Sequence, residues 1–189
     1  MTQQDRLSRV RQLCAAMAAL LLWGSPAGAA HKAASKSQGA PSASLALHVA
    51  LEKPEFSLKA PDSIMLRFSL RNTGQSPVWV NSRFYLGAKT GSAHDREVYL
   101  EVVDGAGQPV PCEHSFPTGL PKSDYFKLLQ PGEEATADYP RDLRGFCEVK
   151  GPGTYTVTAV YENVFGPELD LAAFKGPLRS DPVAVKVVE

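Results

Sequence analysis

The stretch Gly153-Thr154-Tyr155-Thr156-Val157-Thr158-Ala159-Val160-Tyr161 alternates: Tyr155, Val157, Ala159 and Tyr161 fall on one face, Thr154, Thr156 and Thr158 on the other. Strand side chains repeat every two residues, so this stretch predicts a half-buried β-strand launched by Gly151-Pro152-Gly153. The same period recurs outward from it. Val183, Val185 and Val187 alternate with Ala184, Lys186 and Val188; Ile64, Leu66, Phe68 and Leu70 alternate with Met65, Arg67, Ser69 and Arg71; Leu45, Leu47, Val49 and Leu51 alternate with Ala46, His48 and Ala50. Residues 98–103 are β-branched and alternating, and Asp104-Gly105-Ala106-Gly107 turns the chain toward 108–112, a hairpin pattern. Asn72-Thr73-Gly74-Gln75-Ser76-Pro77 is a turn by composition, and Val78-Trp79-Val80-Asn81 after it reads as a strand. Residues 125–129 form a short apolar run stopped by Pro131-Gly132, and 133–139 a weak edge strand.

No run has helical length; 169–174 is the one amphipathic candidate, about two turns at most. Seven to eight strands, with long loops over 87–95, 111–124 and 162–181, predict an all-β fold: an antiparallel two-sheet sandwich. Folds built from βαβ units are excluded.

The chain has 189 residues, with 15 Gly and 15 Pro, enough for one turn-rich domain. Twenty Lys and Arg balance 20 Asp and Glu, so no basic field exists to gather nucleic acid, and no nucleic-acid partner is expected.

Arg6, Arg9 and Arg11 precede an apolar run over 13–23, followed by Gly24-Ser25-Pro26 and Ala27-Gly28-Ala29. Basic flank, short apolar run and small residues before a cleavage point predict a secretory signal peptide over 1–29. The run is about half the ~20 residues a membrane span requires, which sets aside the competing retained anchor. No later stretch could span a membrane. Residues 30–44, Ala-His-Lys-Ala-Ala-Ser-Lys-Ser-Gln-Gly-Ala-Pro-Ser-Ala-Ser, hold nothing large and apolar and read as a flexible tether. The domain then runs over 45–189. Cleavage removes Cys14 and leaves Cys112 and Cys147 in a chain routed to an oxidising compartment, where a disulfide is expected. The alternative is a metal site using Cys112, His114 and Cys147, which lacks a clear fourth ligand.

No nucleophile elbow, phosphate loop, His-Glu-x-x-His pair or calcium loop occurs, so no enzyme, cofactor or metal is expected. His94-Asp95 with Cys112-Glu113-His114 is the one cluster that could take a soft metal if the loops meet. Trp79, Tyr155 and Tyr161 lie on predicted strands and belong to the core. Phe84, Tyr85, Phe116, Tyr125, Phe126, Phe165 and Phe174 lie beside Gly or Pro, outside the alternation; they plug the ends of the sheets or form a recognition surface.

With Trp79 on the third long strand and Tyr155 two positions before the inward Val157, the chain resembles an immunoglobulin-like domain, Tyr155 standing where such domains carry a corner tyrosine. Val157 and Phe68 occupy positions where antibody domains pair cysteines, so the resemblance is to the kind without that disulfide. Leu129-Gln130-Pro131-Gly132-Glu133, Pro152-Gly153-Thr154-Tyr155, Phe174-Lys175-Gly176 and Ser180-Asp181-Pro182-Val183 resemble a pattern common in exported bacterial immunoglobulin-like domains of unassigned function. The fold hosts many activities, so the resemblance implies a frame rather than a chemistry.

The expected function is a non-catalytic binding module, periplasmic or secreted, that holds a protein or cell-envelope partner through loops at one end of the sandwich. Asn72, Thr73, Gly74, Phe165, Phe174 and Arg179 are its candidate contact residues, because the turn over 72–77 and the connection over 162–181 share an end in such folds. The alternative is a protease inhibitor on the same frame. Asn72-Thr73-Gly74 is similar to the first loop of chagasin-type inhibitors, while Arg179-Ser180-Asp181-Pro182 lacks the aromatic residue of their last loop.

Overall fold

A computed structural model describes residues 44–59 and 62–189. The expected signal peptide, and the tether apart from Ser44, lie outside the described residues. Twelve strands occur among the described residues. In chain order they are β1 (Leu45–Leu51), β2 (Glu55–Ser57), β3 (Met65–Asn72), β4 (Val78–Asn81), β5 (Val98–Val103), β6 (Pro109–Val110), β7 (Phe126–Leu129), β8 (Glu134–Thr136), β9 (Arg141–Asp142), β10 (Gly153–Tyr161), β11 (Leu178–Arg179) and β12 (Val183–Val188).

The fold is all-β with three sheets. The first has the order β1-β3-β8, with β9 also on β3; the second has the order β2-β12-β10-β5-β6, with β11 on β10; β4 and β7 pair by themselves. β1 and β3 run antiparallel from Leu45 opposite Asn72 to Leu51 opposite Leu66, so the apolar faces of two alternating strands coincide. Leu66, Phe68 and Leu70 of β3 and Val157, Ala159 and Tyr161 of β10 are completely or almost completely buried in one core that both larger sheets supply. A fully buried side chain of Leu or Phe size contributes about 1.5 to 3 kcal/mol, so each of these inward positions is a substantial part of the apolar stabilisation.

Three features depart from the sequence expectation. The strand count exceeds eight because two- and three-residue strands, too short to show a period, complete the sheet edges. β2 is one of them: Phe56, its single buried residue, enters the core while its backbone pairs parallel to β12, so the sheets are not wholly antiparallel. Residues 169–174 are not helical. Pro167–Leu169 forms one 3-10 turn, Asp170 takes the left-handed conformation, and Ala173 bridges to Trp79. Local carbonyls there are taken by side chains, the Asn163 amide donating to Phe165 and Phe174 and the Lys175 ammonium to Val164 and Phe165.

The hairpin over 98–110 forms as expected: the Asp104 carboxylate accepts the Ala106 and Gln108 amides, and Gly107 takes a positive φ. β8 lies at the edge of its sheet. β4 is a strand, but it pairs with β7, and Trp79 packs over a second small core of Phe126, Phe165 and Ala173.

Candidate functional site

The residues expected to form a contact surface divide among different tasks. Asn72 is buried; its amide donates to the Ser76 and Leu129 carbonyls at 2.8 and 2.9 Å, and its Oδ1 accepts the Gly74 amide at 2.9 Å. It closes the turn from inside and offers nothing outward. Thr73 and Gly74 direct their amides to the Ser44 carbonyl. Phe165 is 2% exposed and belongs to the small core, a correction to its expected surface role that follows from the connection folding back over β4 and β7. Phe174 is half-buried and stacks on Tyr161 at 6.3 Å. Arg179 is exposed and pairs with Glu101 on β5. With Asn72 buried, the likeness to a first inhibitory loop reduces to Thr73 and Gly74.

Cys112 and Cys147 form the expected disulfide. Nδ1 of His114 lies 2.9 Å from the Gly145 carbonyl oxygen, and the His94 ring meets the Phe165 ring edge-on. Among the described residues no three His, Cys, Asp or Glu side chains gather closely enough to hold a metal ion.

A buried polar cluster sits where β4 ends. Glu97 is completely buried, and its carboxylate accepts Nε of Arg83 at 2.9 Å, the Tyr85 amide at 2.9 Å and the Asn81 side-chain amide at 3.1 Å. Arg83 donates a further bond of 2.8 Å to the Gly119 carbonyl, which fixes the irregular stretch 118–120 against the sheets. Its guanidinium carbon lies 5.3 Å from the Phe165 ring centre and 5.4 Å from that of Tyr85. Between them Phe84 is fully buried with φ of +47°, a conformation costing a bulky residue of order 1 to 3 kcal/mol and held here by its ring packing edge-on to Tyr161.

Above this cluster opens a cleft of about 320 Å³. Arg83 and Tyr85 form its inner wall; Leu120, Lys122 and Tyr125 come from the stretch before β7; Asp138 and Tyr139 come from the connection between β8 and β9, and Arg141 opens β9. Two of these are conspicuously solvated for apolar side chains, Leu120 at 73% exposure and Tyr139 at 70%. The Arg141 guanidinium carbon sits 5.6 Å from the Tyr85 ring centre. Arg83 is neutralised by Glu97, whereas among the described residues no carboxylate pairs with Lys122 or Arg141. Asp138 shares the lining and ion-pairs with neither. The lining mixes aromatic rings, one carboxylate, three cations and the Thr118 hydroxyl.

Tyr85 and Tyr125 belong to the loop aromatics expected to plug the sheet ends or form a recognition surface. Leu120, Lys122, Tyr139 and Arg141 do not. The available signal was an apolar residue in Gly119-Leu120-Pro121 and an aromatic one in Tyr139-Pro140, both where no alternation offers a buried face.

A second cavity of about 390 Å³ lies along β5 and β6, walled by Leu100, Val102, Val110 and Cys112. On its rim Glu101 takes both Lys89 and Arg179, and these bonds, that of Arg179 first, hold its carboxyl down to about 2. Compared with known proteins, the chain matches no protein-family model and no curated protein.

Proposed function

We propose that the protein is a non-catalytic exported module, built on an immunoglobulin-like frame, that binds a protein or cell-envelope partner through the cleft between Tyr85, Leu120 and Tyr139. The observation that carries this reading is that Leu120 and Tyr139 are both solvated in one concave lining beside Lys122 and Arg141, which form no ion pair among the described residues. Water-exposed apolar rims around a concave site mark interaction surfaces, and aromatic residues with Arg supply most of the binding energy at such surfaces.

Export is supported by the Cys112–Cys147 disulfide, which persists in oxidising compartments. Among the described residues no helix is long and apolar enough to cross a membrane. The immunoglobulin-like frame is supported by the Tyr155 hydroxyl, which donates to the Gly151 carbonyl at 2.8 Å, the bond a corner tyrosine makes.

Site-specific photocrosslinking in cells tests the reading. A crosslinker at position 120 or 139 should capture a discrete partner, and one at 186, on the exposed face of β12, should not. Equal capture from all three positions, or none from 120 and 139, would discard the cleft as the docking site.

A further inference from the structure

We infer that the cleft recognises an acidic peptide segment, one in which a carboxylate lies next to an apolar or aromatic side chain. This rests on the reading of the cleft as a docking site and adds the chemistry of the occupant.

The argument is charge complementarity at close quarters. Residues 44–189 carry more Asp and Glu than Lys and Arg, yet the cleft lining gathers three cations, Arg83, Lys122 and Arg141, against one carboxylate, Asp138. Among the described residues neither Arg141 nor Lys122 forms an ion pair, while Arg83 is neutralised by the buried Glu97, which also accepts the Tyr85 and Asn81 donors. Arg141 is half-buried and held over the Tyr85 ring, so its planar donors are pre-oriented and lose little freedom when a carboxylate arrives. Leu120, Tyr125 and Tyr139 then offer an apolar wall to the neighbouring side chain of the ligand. Asp138 in the same lining limits the net charge, which favours one or two carboxylates over a polyanion.

The probes are three capped peptides, Ac-Gly-Glu-Trp-Glu-Gly-amide, its Gln-Trp-Gln counterpart and its Glu-Gly-Glu counterpart, titrated against the oxidised domain by isothermal titration calorimetry. The Glu-Trp-Glu peptide should bind at least about tenfold more tightly than either control, in line with a charge-assisted hydrogen bond, and its affinity should fall with salt. Arg141→Met should abolish the preference over Gln-Trp-Gln, Arg141→Lys should retain part of it, and Lys122→Met, a change at an exposed side chain, should reduce it without altering the melting curve.

Equal affinity for the Glu and Gln peptides, or a preference untouched by both Met variants, overturns the proposal. So does binding to phosphatidylglycerol vesicles without binding to the peptide. If photocrosslinks form at 120 and 139 while the peptide carboxylates make no difference, the docking site stands and its acidic chemistry falls. If no crosslinks form there, the docking reading falls first.

Discussion

The Tyr161 hydroxyl donates to the Asn81 carbonyl at 3.0 Å and accepts the Asn81 amide at 3.1 Å, so the last residue of β10 ties the last residue of β4 to the main core. The one strand β4 pairs with among the described residues is β7, and this two-way bond anchors their small sheet to the main core. Burial pushes the Tyr161 hydroxyl far above the usual phenol range, a shift the Asn81 hydrogen bond opposes only in part, so it remains a donor at any physiological pH. Tyr161→Phe should leave the Asn81 groups buried and unpaired and cost about 1 to 3 kcal/mol in urea melts. A change below about 0.5 kcal/mol would show that water replaces the hydroxyl and that the small sheet is not held in this way.

Tyr155 makes the equivalent bond at the other end of β10, to the Gly151 carbonyl. Tyr155→Phe should cost about 1 to 3 kcal/mol through the lost donor, and Tyr155→Ala about 3 to 5 kcal/mol because a cavity opens as well. Thr156, on the other face and half-buried between Val103 and Ala184, should tolerate Ala within roughly half a kcal/mol. Thr156→Ala costing more than Tyr155→Phe would reverse the assignment of the two faces.

These residues mark where the sequence was legible. β1, β3, β5, β10 and β12 announce themselves because each is long enough for a period of two to repeat, and Tyr155 could be placed from its distance to Val157. β2 could not, since three residues with one buried Phe56 carry no period, and its parallel partner lies more than a hundred positions away. The cleft was illegible for a related reason. Arg83 and Glu97 each look like an ordinary solvated charge in sequence, and only the turn between β4 and β5 brings them together in the interior; Arg141 and Lys122 acquire meaning only once that turn has placed Tyr85 between their loops.

Glu101 gives the fold an acid-sensitive contact. Its folded value, held down to about 2 by bonds from Arg179 and then Lys89, lies below the ordinary value of 4.5. A depressed carboxylate contributes stability that is present above its unfolded value and disappears as pH falls through the folded one, so the window is from about 4.5 down to about 2. Both cations are more than half exposed, which limits the contribution to about 1 kcal/mol. Glu101→Gln should therefore flatten the fall in melting temperature across that window and change little at pH 7 beyond the loss of the pair. An acid limb identical to that of the parent would mean that the three side chains do not associate in solution.

The Arg83–Glu97 pair supports the final prediction. With side chains only 6% and 0% exposed, both charges have given up water, and each is tolerable only because the other is present. Glu97→Leu should leave the Arg83 guanidinium buried without its carboxylate, orphan the Tyr85 and Asn81 donors, and cost about 3 to 5 kcal/mol. Arg83→Met should cost less, because Glu97 retains the Tyr85 amide and the Asn81 side chain. The double variant Arg83→Met/Glu97→Leu removes both charges and should be more stable than Glu97→Leu alone, a positive coupling that a urea double-mutant cycle reads directly. The double variant should also loosen the stretch 118–120, since the bond from Arg83 to the Gly119 carbonyl is lost, and amide exchange at Leu120 should accelerate. If the single and double variants prove additive, the two charges do not share one buried site, and the cleft wall above them would have to be held by other means.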